Sequence, residues 1–187
     1  MPLRSVTRVA VPLPLADARR VVPSVPLQRQ FLTQWCWAAC IAMVRSTPGV
    51  PFRQCEAAGL LIKDRDPCAG SGSGCTSGGP VLGDANPQCN EVAPLSQIAV
   101  MWSDVLEREV LQEGKLSKSR LNEKLDAGKT VQVMWSNDGS LHVVLVVGRD
   151  EDGQYLVHDP CEGARLLSYA QIVKVPGVRE WDSTWVL

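Results

Sequence analysis

Few side chains in this 187-residue chain can do chemistry at neutral pH, and they lie far apart. The seven cysteines are Cys36, Cys40, Cys55, Cys68, Cys75, Cys89 and Cys161, and the two histidines are His142 and His158. A cysteine is a nucleophile as its thiolate. A free thiol titrates near about 8.5, so at neutral pH it needs a helix N-terminus or a neighbouring histidine. Cys36 has the first within its own segment. Residues 36–45 read Cys-Trp-Ala-Ala-Cys-Ile-Ala-Met-Val-Arg, with no helix breaker and three helix-favouring alanines. The run is apolar on nearly every side until Arg45, which predicts a buried central helix stopped by Ser46-Thr47-Pro48-Gly49. Cys36 falls at its start, where free N–H groups and the macrodipole favour a negative sulfur. Gln30 lies six residues earlier, and its amide N–H could serve an oxyanion together with a backbone N–H near Cys36. Gln28 and Gln34 are rivals for that role. Taken alone, Cys36 fits a buried structural thiol equally well, and Cys40 reads as such a thiol or as half of a disulfide.

The base must be one of the two histidines, and strand geometry separates them. Residues 142–149 and 154–159 read as an antiparallel hairpin around a four-residue turn, Asp150–Gly153. Side chains alternate faces along a strand, and opposed residues share a face. With an even-length turn, opposed residues have numbers of opposite parity. Asp159 then shares a face with His142, within reach of a neighbouring or diagonal pair, and His158 points the other way. This selects His142 as base and Asp159 as the carboxylate that orients it. One ring nitrogen would face Asp159 and the other Cys36. Asp159 precedes Pro160, so turn chemistry is a competing role for it.

Gln30, five residues, and then Cys36-Trp37-Ala38 at a helix start resembles the nucleophile region of papain-like cysteine peptidases. Thr33-Gln34-Trp35 replaces the usual Cys-Gly-Ser/Ala run before the nucleophile. That departure makes the chain more similar to compact bacterial members, including secreted effector proteases and peptide-processing proteases. The resemblance implies the histidine at a strand start, here Leu141-His142-Val143, and the Asp on the next strand, here Val157-His158-Asp159-Pro160. It also implies an α+β fold in which an N-terminal helical half packs on a C-terminal antiparallel β half, with the active-site cleft between them. Leu141 stands where relatives carry a small residue and could narrow that cleft.

The elements that must position these residues follow in chain order. Residues 1–29 carry five prolines and five arginines and read as an extension or arm outside a single domain spanning 30–187. The stretch Val9–Ala16 is short and carries two prolines, unlike a signal-peptide core. Helices are expected at Phe52–Lys63, Leu95–Leu106, from Ser117 to Gly128, and briefly at Ser168–Val173. Asp64–Pro80 is a glycine-rich loop holding Cys68 and Cys75. Strands are expected at Thr130–Trp135, His142–Gly148, Gln154–Asp159 and Trp181–Leu187, the second apolar on both faces and therefore central. Helices first and strands later is an α+β order, with 30–128 mainly helical and 129–187 mainly β.

Composition narrows the partners. A net charge of −1 carries no nucleic-acid signal, and no apolar run approaches the ~20 residues of a membrane span. Without one nucleophile, six cysteines remain and could pair, which favours an oxidising destination outside the producing cell. Zinc fits poorly, since there is no Cys-x-x-C pair. The expectation is a peptide-hydrolysing enzyme with a Cys36–His142–Asp159 triad, Gln30 at the oxyanion and no cofactor. A protein or peptide is its substrate, and an inhibitor or immunity protein is a candidate partner. The alternatives are an amidase, deamidase or transglutaminase-like acyl transferase on the same scaffold, or a disulfide-stabilised binding module.

Overall fold

A computed structural model describes residues 20–21, 25–46, 50–69, 72–73, 82–83, 86–137, 140–175 and 179–187. The order is β1 (Arg20–Val21), α1 (Cys36–Arg45), α2 (Gln54–Gly59), β2 (Gly72–Ser73), β3 (Leu82–Gly83), α3 (Leu95–Leu106), β4 (Gln112–Gly114) and α4 (Lys118–Asp126). Then follow β5 (Val131–Asn137), β6 (Ser140–Arg149), β7 (Tyr155–Asp159), β8 (Gly163–Leu167), α5 (Tyr169–Val173), β9 (Lys174–Val175) and β10 (Arg179–Val186). The main sheet is antiparallel in the order β4-β10-β5-β6-β7-β8, with β1 added to β6 and β9 to β10. The fold is α+β.

β6 is the strand that organises the core, and its sequence says why. Val143, Leu145 and Val147 pack with Trp37, Cys40 and Ile41 of α1 and with side chains of α2 and α3. Val144 and Val146 pack on the opposite face with Leu121 and Leu125 of α4 and Ile172 of α5. A strand covered on both faces has to be a continuous apolar run. α1 lies across β6 and is buried from Cys36 to Met43, as an almost uniformly apolar helix must be.

α1 and α3 have the expected limits. α2 is shorter than the expected 52–63: it ends at Gly59, the residue least suited to a helix interior. Ser117 caps α4 by accepting from Arg120 N, and Gly128, at φ +73°, turns the chain towards β5. Periodicity does not mark β4 and β8. β4 lies between two helices yet pairs with β10, so the helical and β halves interleave along the chain. Part of the expected arm is a strand, β1, paired with Gly148 and Arg149. Residues 1–19 and 22–24, and the tips expected at 47–49, 70–71, 74–81 and 138–139, lie outside the described residues.

The β6–β7 connection has five residues, 150–154, because Arg149 pairs with Tyr155 and Gly148 with Leu156. That odd length would put Asp159 on the face away from His142. A one-residue irregularity between Val146 and Gly148 restores opposite parity, so that Val146 pairs with Val157 and Leu145 with His158. His142 and Asp159 share a face because of that bulge.

Cys55 and Cys68 form a disulfide, Cys161 is also disulfide-bonded, and Cys36, Cys40 and Cys89 are free and buried. Of the six cysteines that could pair, Cys40 and Cys89 do not, and Cys40 takes the buried-thiol reading of its two. Cys40 and Cys89 sit inside the apolar cluster as small hydrophobes, with the Cys40 thiol 3.7 Å from Val143 O. Cys75 lies outside the described residues. The Cys55–Cys68 bridge spans 13 residues and ties α2 to the loop after it. Closing a loop of that size restricts the unfolded chain by about 3 kcal/mol. A Cys55→Ser/Cys68→Ser double variant should lose stability of that order, read as a lower midpoint in urea unfolding.

Candidate active site

Cys36 is placed by what grips the chain on either side of it. Trp35 N donates to Leu32 O at 3.0 Å, closing the turn that starts α1. The segment 89–91 holds both flanks: Trp35 Nε1 donates to Cys89 O at 2.8 Å and Trp37 Nε1 to Glu91 O at 3.1 Å. Asn90 accepts from Gln34 N and donates to Thr33 Oγ1, both at 2.9 Å. Cys36 is the first residue of α1, so its own N–H has no intrahelical acceptor. Asn90 was not identified from the sequence, since a loop asparagine next to a cysteine carries no spacing signal.

His142 sits near the start of β6, opposite Trp135 of β5, with the two ring centroids 6.1 Å apart. Its Nε2 lies 2.8 Å from Asp159 Oδ1. Cys36 lines the same pocket as this imidazole and interacts with it electrostatically. With Nε2 turned to Asp159, Nδ1 is the nitrogen left for the sulfur. The structure thus brings Cys36, His142 and Asp159 together from α1, β6 and the end of β7.

Asp159 is 1 % exposed, and every donor it needs comes from protein. Oδ1 also accepts from Cys161 N at 2.9 Å and Glu162 N at 3.1 Å, and Oδ2 accepts from Arg165 Nη2 at 2.7 Å. At this Asp-Pro pair the bond to His142 and the turn bonds coexist. Arg165, on β8, is a site residue the sequence did not point to, because β8 itself was not legible.

The electrostatics favour an ion pair. Burial alone would push the Cys36 thiol up. Its interaction with His142, the imidazolium charge included, and the N–H groups of Val143 and Trp37 outweigh that and hold its pKa below the free value. Burial likewise acts to lower His142, but Asp159 and Cys36 outweigh it and raise the imidazole to about 9. Burial raises Asp159, and the bonds from His142 and the turn N–H groups bring it back below the ordinary carboxylate range. His158 lies on the opposite face, paired with Leu145, and burial pushes it down to about 4, so it stays neutral.

Gln30 is buried beside Cys36, and its side chain curls back on its own loop. Nε2 donates to Leu32 O at 2.9 Å and Thr33 O at 2.8 Å, while Oε1 has no partner. Its backbone is held from both sides of the site. Gln30 N donates to Pro160 O, and Gln54 of α2 bridges the flanking peptides by donating to Arg29 O at 2.6 Å and accepting from Phe31 N at 2.9 Å. The Arg29 guanidinium donates to Cys161 O and lies over Gly163, where φ is +94° and a Cβ would come within 2.9 Å of it. Gln28 is engaged elsewhere, donating to Ser46 Oγ at 2.9 Å, whereas Gln34 lines the pocket.

That pocket has a volume of about 440 Å³, and its wall includes Gln30, Cys36, Trp135, Leu141, His142 and Asp159. Leu141 is 41 % exposed and forms part of the rim. Among the described residues no group of three or more His, Cys, Asp or Glu side chains could hold a metal ion. None of the described helices is long and apolar enough to cross a membrane. A thiolate, an imidazolium and a buried carboxylate facing one pocket form a set suited to acyl transfer.

Comparison with known proteins bears on the family and the fold. A search of curated proteins finds no match. A crystal structure of a candidate C39-like peptidase from Bacillus anthracis has the same fold, with a TM-score of 0.54 at 13 % identity, covering 89 % of this chain and 96 % of that one. The model of the Peptidase C39-like family matches residues 22–175. These two matches bear out the resemblance to papain-like cysteine peptidases. A match over most of the chain, on a fold shared with a candidate member, means that this protein belongs to the Peptidase C39-like family.

Proposed function

We propose that the chain hydrolyses peptide bonds with Cys36 as nucleophile, His142 as acid and base, and Asp159 as the group that orients His142. The observation that carries this reading is the imidazole of His142, hydrogen-bonded to Asp159 at 2.8 Å and sharing one pocket wall with Cys36. The Cys36 thiolate attacks the substrate carbonyl carbon, and the electron pair moves to the carbonyl oxygen. The N–H of Cys36 stabilises that oxyanion, together with Gln30 Nε2 once it turns from the Thr33 carbonyl. As the tetrahedral adduct collapses, the amine leaves with the proton of His142. Water then gives a proton to neutral His142 and attacks the thioester, which releases the acid and restores the ion pair. The cleft between the helical and β parts receives a protein or peptide chain. The disulfides support a destination in an oxidising compartment. An effector or toxin role, with a matching inhibitor or immunity protein, is consistent with that destination.

Four measurements test this. Iodoacetamide should alkylate Cys36 well below pH 8.5, the reference for a free thiol, and His142→Ala should lose that behaviour. A thiol equally inert in both proteins defeats the enzyme reading. Peptide hydrolysis should follow a bell. It rises as Cys36 loses its proton, at a pH below the free-thiol value, and falls as His142 loses its own near pH 9. Cys36→Ala should lower turnover by at least about a thousandfold while the fold persists. Product masses from a peptide library separate cleavage from a one-dalton deamidation, the sign of the rival amidase or deamidase chemistry.

A further inference from the structure

Arg165 has no part in the bond-making steps, yet it bonds directly to Asp159 and lines the pocket. Among the described residues, Asp159 Oδ1 takes three donors and Oδ2 takes Arg165 Nη2, at 2.7 Å. The carboxylate is 2 % exposed and the Arg165 side chain 33 %, so the ion pair closes the pocket side of a buried charge. Trp135 fixes the guanidinium in place: the Arg165 carbon lies 6.0 Å from its ring centroid, and the ring of His142 lies 6.1 Å from the same indole. The strand register explains the meeting. Asp159 opposes Gly163, two residues before Arg165 on β8, and His142 lies two residues before the position on β6 that opposes Asp159. The three side chains form a diagonal across β6, β7 and β8.

We propose that Arg165 is a positioning residue whose charge sets the pH range over which the Cys36–His142 pair is reactive, a role that rests on the triad reading above. Four charges then alternate in sign through the site: thiolate, imidazolium, carboxylate, guanidinium. With Arg165 the set is neutral, and without it one net negative charge remains. Of the other titratable groups near the set, Cys40 on α1 is held as a neutral thiol chiefly by burial, and Glu162 faces the pocket with substantial exposure. His158 lies on the far face of the sheet. The Arg29 guanidinium, the other cation at this turn, donates to Cys161 O and lies over Gly163, with no bond to Asp159, so none of these groups replaces the lost cation. An added net negative charge disfavours ionisation of Cys36 and holds the proton more tightly on His142. Removing the guanidinium charge therefore moves both limbs of the profile in the same direction, to higher pH.

The test is the pH dependence of Cys36 alkylation and of peptide hydrolysis in the full chain, for wild type, Arg165→Met, Arg165→Gln and Arg165→Lys. Arg165→Met and Arg165→Gln should shift both limbs upward by about 0.5 to 1 pH unit. Arg165→Gln keeps a donor for Oδ2 without the charge, and as the more polar replacement it serves if the Met variant does not fold. Arg165→Lys should return the limbs towards wild type. Limbs that stay in place while the rate alone falls assign Arg165 a packing role and overturn the proposal, as does a Lys variant shifted as far as Gln. If wild-type Cys36 shows no alkylation below the free-thiol range, the triad reading itself fails. That outcome is separate from a wild type that behaves as expected beside Arg165 variants that do not move.

Discussion

The buried carboxylate of Asp159 is the constraint that most of the site answers to. An ionised carboxylate at 1 % exposure is tolerable only when its acceptors are filled. Here they are filled by an imidazole, two turn N–H groups and a guanidinium, each from a different place in the chain. Meeting that demand fixes the orientation of the His142 ring and the tightness of the 159–163 turn. It also fixes the alignment of β8 against β7. The imidazole proton stays on Nε2, which leaves Nδ1 for sulfur. The polarity of the whole Cys36–His142 pair thus follows from how one acid is solvated by protein.

The second constraint is mechanical. Cys36 is carried by α1 and His142 by β6, and these meet because α1 packs along the apolar face of β6 through Cys40, Ile41, Val143 and Leu145. Apolar packing sets the spacing only coarsely. Amide side chains supply the finer control. Asn90 grips Thr33 and Gln34, Gln54 grips the peptides on both sides of Gln30, and Gln30 N is bonded to Pro160 O. The loop before Cys36 and the loop after Asp159 are thereby fastened to each other as well as to the core. Such directional bonds between buried polar groups are costly to leave unmade, which makes them effective at excluding alternative loop positions.

The chain order and residue types already disclosed α1 to the residue, because its apolar character and its lack of breakers leave no other reading. They disclosed β6 as the central strand, because only a two-faced apolar run can lie under helices on both sides. They also paired His142 with Asp159 in preference to His158. That pairing assumed an even turn, and the turn is odd; the bulge beside Val147 corrected the parity. Local patterns do not encode bulges, so the match of face was reached through an element the sequence left unseen.

Sequence alone therefore determined the helix that begins at Cys36, the strand that carries the imidazole, and the α+β order, since each of these is a local consequence of apolar periodicity and residue type. Tertiary structure decided the rest. Which cysteines are oxidised depends on which thiols approach one another and which are sealed in the core, and Cys40 and Cys89 are sealed. That Gln30 spends its amide donors on Leu32 and Thr33, and that Arg165 completes Asp159, depend on loop closure and on the alignment of β8. Contacts between residues distant in the chain leave no periodic trace, because they are set by where folded surfaces meet and not by the spacing of neighbours along the backbone.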